Sequence, residues 1–140
     1  MPTMTMTKPA TDDHLALFLA FVEVLVDRFA LAPDVAQRLK LVVEEATTNV
    51  VRHAYALGAG GDLTLVADVD DAAVVVTLED EGRPFAPEDA PPPDLASAWQ
   101  ERRVGGLGWH LIRELADDVR YASVDGRNRL TVRIDRAARA

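Results

Sequence analysis

Residues 45–55 read Glu45-Ala46-Thr47-Thr48-Asn49-Val50-Val51-Arg52-His53-Ala54-Tyr55. At roughly 100° per residue on a helical wheel, Leu39, Val42, Val43, Ala46, Val50 and Ala54 fall in one arc, which is the expected buried face. Glu45, Asn49 and His53 stand at i, i+4 and i+8 and form one stripe. The stripe borders the apolar arc and partly overlaps it, so Asn49 and His53 are not expected to face solvent fully. A buried amide or carboxylate without partners costs about 1–3 kcal/mol, and more when charged. Either a neighbouring turn satisfies the stripe, or it is a pocket wall whose carboxylate and amide oxygen face a metal, a water or a hydroxyl. Hard oxygen ligands of this kind suit Mg²⁺, which commonly takes one or two protein groups and fills its shell with phosphate oxygens.

The helix carrying this stripe is predicted to start at Pro33, which suits a first helical turn, and to run to about Ala56, before Gly58, Gly60 and Gly61. Upstream, residues 3–7 alternate and predict an edge strand stopped by Pro9. Thr11 or Asp12 can cap a following helix. Leu15 to Phe29 is apolar around most of its circumference, so it either sits deep in the core or offers apolar surface to a partner. Downstream, Leu63, Leu65, Ala67 and Val69 alternate as a strand, Asp70-Asp71 turns, and Val74 to Glu79 returns as the second arm of a hairpin.

Residues 83–104 show no period and hold Pro84, Pro87, Pro91, Pro92 and Pro93; a loop this long is usually functional. A helix then runs to about Ala116, with Leu107, Leu111 and Leu115 expected on the core and Trp109 off the buried arc, either packed under the long loop or exposed to a partner. Val119 to Val124 and Leu130 to Ile134 close the chain as a hairpin around Asp125-Gly126. This order predicts an α+β two-layer sandwich, with helices on one face of a largely antiparallel sheet.

Two further places suggest chemistry. Asp80 has the inward parity of Val74, Val76 and Leu78 just where its strand ends. A carboxylate there accepts well from an exocyclic amine such as that of adenine, and Gly82 would let a flat ring approach; a plain turn-forming role is the alternative. The run Gly105-Gly106-Leu107-Gly108 opens the last helix, where free backbone N–H groups and the dipole favour an anion; a flexible connector is the alternative. Arg102 and Arg103 add positive charge just upstream. No Lys-Ser or Lys-Thr follows, so it is not a Walker A loop, and no strand leads into it as a dinucleotide fingerprint needs.

The 140 residues suffice for one domain, and 49% are apolar, enough for a core. No apolar run reaches membrane-span length, and no basic stretch with an apolar h-region suggests a signal peptide. The absence of cysteine suits a cytoplasmic protein. A net charge of −8 repels a phosphate backbone and argues against nucleic-acid binding. The acidic residues are spread along the chain, as a solvated surface or as a face for a basic protein partner.

Taken together, Glu45 to Asn49 with His53-Ala54-Tyr55, then Asp80-Glu81-Gly82-Arg83-Pro84-Phe85, then Gly105 to Ile112, resemble the N box and the two glycine boxes of the GHKL ATPase superfamily. Gly126-Arg127-Asn128-Arg129-Leu130-Thr131 is similar to the last strand of its anti-sigma-factor serine kinases. The resemblance covers nearly the whole chain and implies the Bergerat ATP-binding fold. It implies that Asn49 coordinates Mg²⁺, that Asp80 bonds the adenine amino group, and that Gly105, Gly106, Leu107 and Gly108 meet the phosphates. It implies that residues 86–104 form the ATP lid and that Glu45 is the general base toward a partner's serine. Gly82 and Arg103 join the expected ATP site. So does Asn128, inward by parity with Leu130 and Val132 and standing where several members have Thr near the adenine. His53 either lines the phosphate end or caps the core.

The partners implied are an anti-anti-sigma protein of the STAS fold and a sigma factor. The apolar first helix allows a homodimer. A histidine kinase is disfavoured, since no helix with a phospho-acceptor His precedes these boxes. Two other functions share the motifs: a non-catalytic module in which ATP only orders an interaction surface, and a gyrase-type ATP hydrolase.

Overall fold

The computed structural model describes residues 3–55, 60–84 and 107–137. Alternating apolar residues build five strands: β1 (Thr3–Pro9), β2 (Asp62–Val69), β3 (Ala73–Asp80), β4 (Asp118–Val124) and β5 (Arg127–Asp135). They form one sheet in the order β1-β2-β3-β5-β4, with every neighbouring pair antiparallel. The register sets Leu65 opposite Leu78 and Leu78 opposite Leu130, which carries one apolar row across the central strands. Because side chains alternate along a strand, Leu63, Leu65, Ala67, Val69, Val74, Val76, Val132 and Ile134 share that face and are buried.

Among the described residues three α-helices cover it: α1 (Leu15–Arg28), α2 (Pro33–Asn49) and α3 (Leu107–Leu115). A 3₁₀ turn at Asp12–His14 leads into α1. The two-layer α+β sandwich expected from the element order is the fold observed. The apolar first helix does both things its composition allowed: Phe18, Phe21, Val22 and Leu25 enter the core, while Leu17 and Val24 stay exposed.

Three expectations need correction. The second helix does not continue as an α-helix to Ala56. It ends at Asn49 and passes into a π-helical turn, Val50–Ala54, after which Tyr55 is extended. The wider turn changes the angular phase, so His53 no longer lies on the line through Glu45 and Asn49. In α3 the buried side chains are Trp109 and Ile112, with Ala116 just beyond, while Leu111 and Leu115 are half-buried. The helix is therefore rotated from the Leu107–Leu111–Leu115 stripe; the Leu107 side chain itself lies outside the described residues. Trp109 is buried rather than exposed, and its ring meets Tyr121 of β4 edge-on at 6.3 Å.

One buried cation ties the layers together. Arg38 of α2 donates to the Leu115 carbonyl at 3.1 Å, to Asp117 Oδ2 at 3.2 Å and to the Asp135 carbonyl at 3.4 Å, and pairs with Asp34 at 3.1 Å. It links α2 to the end of α3 and the end of β5.

Candidate functional site

The site is assembled where the end of α2, the start of α3 and the ends of β3 and β5 meet. Glu45 and Asn49 lie one helical turn apart on α2, both half-buried. Gly108, in the first turn of α3, lies directly against them. A methyl group there would stand 3.1 Å from Glu45 Oε2, 3.4 Å from Asn49 Oδ1 and 3.7 Å from Asn49 Nδ2. The absence of a side chain at this position thus lets a helix N-terminus close on the carboxylate and the amide. Asn49 Nδ2 is buried and has no hydrogen-bond partner. An orphaned amide of this kind costs free energy unless a ligand or water satisfies it.

Asp80 ends β3 on the inward face, as its parity requires, and is buried. Its Oδ1 accepts from Asn128 Nδ2 at 2.7 Å and from the Gly82 N–H at 2.9 Å. Asn128 is opposite Asp80 in the β3–β5 register and is 2% exposed. Asn49 and Asp80 border one small cavity of about 30 Å³ with Ala46, Val50, Leu78, Arg83, Trp109 and Tyr121. Water fits such a space; a purine enters only if the aromatic lining or the exposed Arg83 shifts. A larger groove of about 680 Å³ lies alongside and shares Asp80; Asp62, Glu79 and Glu81 line it too, with Arg127 beside them, and the surplus of carboxylates repels a polyphosphate. The smaller cavity is the nucleotide candidate, because Asn49 with its orphaned amide lines it together with Asp80 and does not line the larger groove.

Gly82 also has a local packing reason. A methyl at Gly82 would collide with the Ala54 carbonyl oxygen. The chain after β3 is held against the π-helical turn, where Arg83 N–H donates to that same carbonyl. The small residue therefore serves backbone packing between these two segments. Tyr55 fixes the junction further: its hydroxyl donates to the Asp62 carbonyl at 2.7 Å and accepts from Glu81 N–H at 3.0 Å. Burial, outweighing the Glu81 contact, raises the Tyr55 pKa.

His53 does not line the cavity. It is half-buried on the π-helical turn, and burial, followed by the charges of Arg83 and Arg52, lowers its pKa below the ordinary 6.5. Arg103, Gly105, Gly106 and the expected lid at 86–104 lie outside the described residues. Sequence reasoning missed Arg83, Tyr121 and Ser123 as members of the site. Tyr121 shares strand parity with Val119, and that inward parity was the signal available for it.

The residues present fit a nucleotide with Mg²⁺. One amide, Asn49, is uncommitted at its nitrogen, and turning it over presents its oxygen to the same space. Among the described residues no group of three or more His, Cys, Asp or Glu could hold a metal alone, so a Mg²⁺ here would draw most of its ligands from phosphate and water.

The chain belongs to the histidine kinase-like ATPase domain family, whose model matches residues 8–134. Within it the chain is similar to bacterial serine-protein kinases named RsbW. It is 32% identical over 128 residues to that of Halalkalibacterium halodurans, covering 89% of this chain and 78% of the relative. It is 29% identical over 127 residues to that of Listeria monocytogenes serovar 1/2a, covering 88% and 81%. Among solved structures, the RsbU and RsbW domains of a Mycobacterium tuberculosis protein superpose with a TM-score of 0.70 at 17% identity; the match covers 99% of this chain and 34% of that longer one. The Acinetobacter baumannii histidine kinase AdeS superposes with a TM-score of 0.52 at 19% identity, covering 95% and 68%. These two likenesses are likenesses of fold.

Proposed function

We propose that this chain is an ATP-dependent protein serine/threonine kinase that phosphorylates an anti-anti-sigma protein of the STAS fold and sequesters a sigma factor. The observation that carries the reading is the closure of Gly108 onto Glu45 and Asn49, with a Cβ-position distance of 3.1 Å to the carboxylate. It sets a general-base candidate, a metal-ligand candidate and a phosphate-binding helix start in one place. The similarity to serine-protein kinases supports the reaction type.

In this proposal Asp80 accepts from the adenine amino group, and the turn Gly105 to Gly108 binds the phosphates through backbone N–H groups. Arg103 adds charge near the same turn, and residues 86–104 close over the nucleotide. Asn49 would hold a Mg²⁺, which when bound neutralises phosphate charge. Glu45 takes the proton from a partner's serine hydroxyl as that oxygen bonds to the γ-phosphorus and the bond to the bridging oxygen breaks, releasing ADP. Catalysis is then mostly positioning and charge neutralisation. No described helix is long and apolar enough to cross a membrane; with a cysteine-free chain, this supports a cytoplasmic setting.

The test is Glu45→Gln, measured by calorimetry with MgATP and by labelled-phosphate transfer to STAS-fold partners. Transfer should fall by about 10²–10⁴-fold while ATP affinity stays near wild type. Full transfer by the variant contradicts the role of Glu45. Wild-type binding without transfer across a broad set of partners favours the non-catalytic module.

A further inference from the structure

Asn128 has no N–H donor left for a ligand. Its Nδ2 donates one N–H to Asp80 Oδ1 at 2.7 Å and the other to the Gly82 carbonyl at 2.9 Å. Its Oδ1 accepts from Ser123 Oγ at 2.7 Å. A primary amide has two N–H donors, and here both are used. The orientation is set by chemistry: Nδ2 faces a carboxylate oxygen and a carbonyl oxygen, and a reversed amide would set oxygen against oxygen. Ser123 adds the matching donor at the other end. The amide nitrogen of Asn128 is thus committed to Asp80 and Gly82.

The consequence falls on Asp80. Both of its hydrogen bonds to described residues end on Oδ1. That leaves Oδ2 to meet whatever enters the cavity that Asp80 borders. Two donors on one oxygen stop the carboxylate from rotating. An ionised carboxylate can only accept. It matches a purine carrying a 6-amino donor and repels a 6-oxo acceptor at the same position.

We propose that Asn128, held in turn by Ser123, is a positioning residue for base selection: it locks Asp80 as an acceptor, so that the site takes 6-amino purines over 6-oxo purines. This rests on the reading of the cavity as a nucleotide-base site. Without Asn128 the carboxylate turns, and discrimination between the two bases is lost while the remaining contacts persist.

The test compares MgATP with MgITP, which differ at the purine 6-position, by calorimetry on the full chain. Wild type, Asn128→Asp and Ser123→Ala are measured, each with a thermal melt. Asn128→Asp keeps the side-chain shape, removes both donors and sets a second carboxylate beside the first. Wild type should favour ATP by about ten-fold or more, the worth of a charge-assisted hydrogen bond. Asn128→Asp should lower the ATP-to-ITP ratio by a similar factor, with ITP affinity unchanged or higher. Ser123→Ala, on an exposed strand position, should lower the ratio by about three-fold, as loss of a neutral hydrogen bond would.

A folded Asn128→Asp protein in which ATP and ITP weaken in step would overturn the proposal. If that variant fails to fold, an unchanged ratio in Ser123→Ala overturns it. Wild-type protein that binds neither nucleotide removes the base-site reading itself and the proposal with it. Wild-type preference for ATP that survives both substitutions removes only the positioning role.

Discussion

Replacing Gly108 by Ala should separate the stability of α3 from the chemistry beside it. Gly108 is in the first turn of α3 and its φ is not positive, so a Cβ strains nothing in its own backbone. Alanine improves helix propensity by up to about 1 kcal/mol, which for a domain of this size raises Tm by about 3 °C. The same methyl would sit 3.1 Å from Glu45 Oε2 and 3.4 Å from Asn49 Oδ1. The first distance is short for a carbon–oxygen contact, so the carboxylate must give way by a few tenths of an ångström. A 1 Å misplacement of a reacting group costs about 10²-fold, so a fraction of that displacement costs about ten-fold in transfer. The assay is a melt alongside phosphoryl transfer from labelled ATP. A variant with wild-type transfer would refute the placement of Glu45 as base, and a large fall in Tm would refute the geometry at the helix start.

Arg38→Met should lower stability by about 3 kcal/mol, because it removes the buried donors of two carbonyls and one of the donors of Asp117, which keeps the Asp135 N–H; urea unfolding measures it, and a loss under about 1 kcal/mol would show that the network is worth no more than a surface pair. His53 supplies a pH test. Its folded pKa lies below 6.5, so the unfolded chain binds the proton more readily. Wild-type stability should be complete above that value and fall as pH drops below it through the lower folded pKa. His53→Gln should flatten that slope in urea melts over the same range, and an unchanged slope would contradict the assignment.

The fold was legible because the strands alternate cleanly. Val74, Val76, Leu78 and Asp80 keep one parity, and the structure puts all four on the buried face. Glu45 and Asn49 were legible from helical spacing alone. What failed did so where spacing rules lose their footing. The π-helical turn at Val50–Ala54 changed the phase that had put His53 on the stripe. Trp109 was misplaced because a short helix fits more than one wheel arc, and the choice among them is made by tertiary contacts with Tyr121 and α2. The packing reason for Gly82 was not legible, since the Ala54 carbonyl it must clear is distant in sequence. Asn128 was inward as parity demands, but its partners on β3 and β4 decide what it bonds.

The account depends on Asp80 and Asn49 opening onto one nucleotide cavity. Titrating MgATP into wild-type protein and into Asp80→Ala measures this most directly. The wild type should bind, and the variant should lose about ten- to a hundred-fold in affinity, the worth of one charge-assisted hydrogen bond. Equal affinities, or no binding by the wild type, would contradict it.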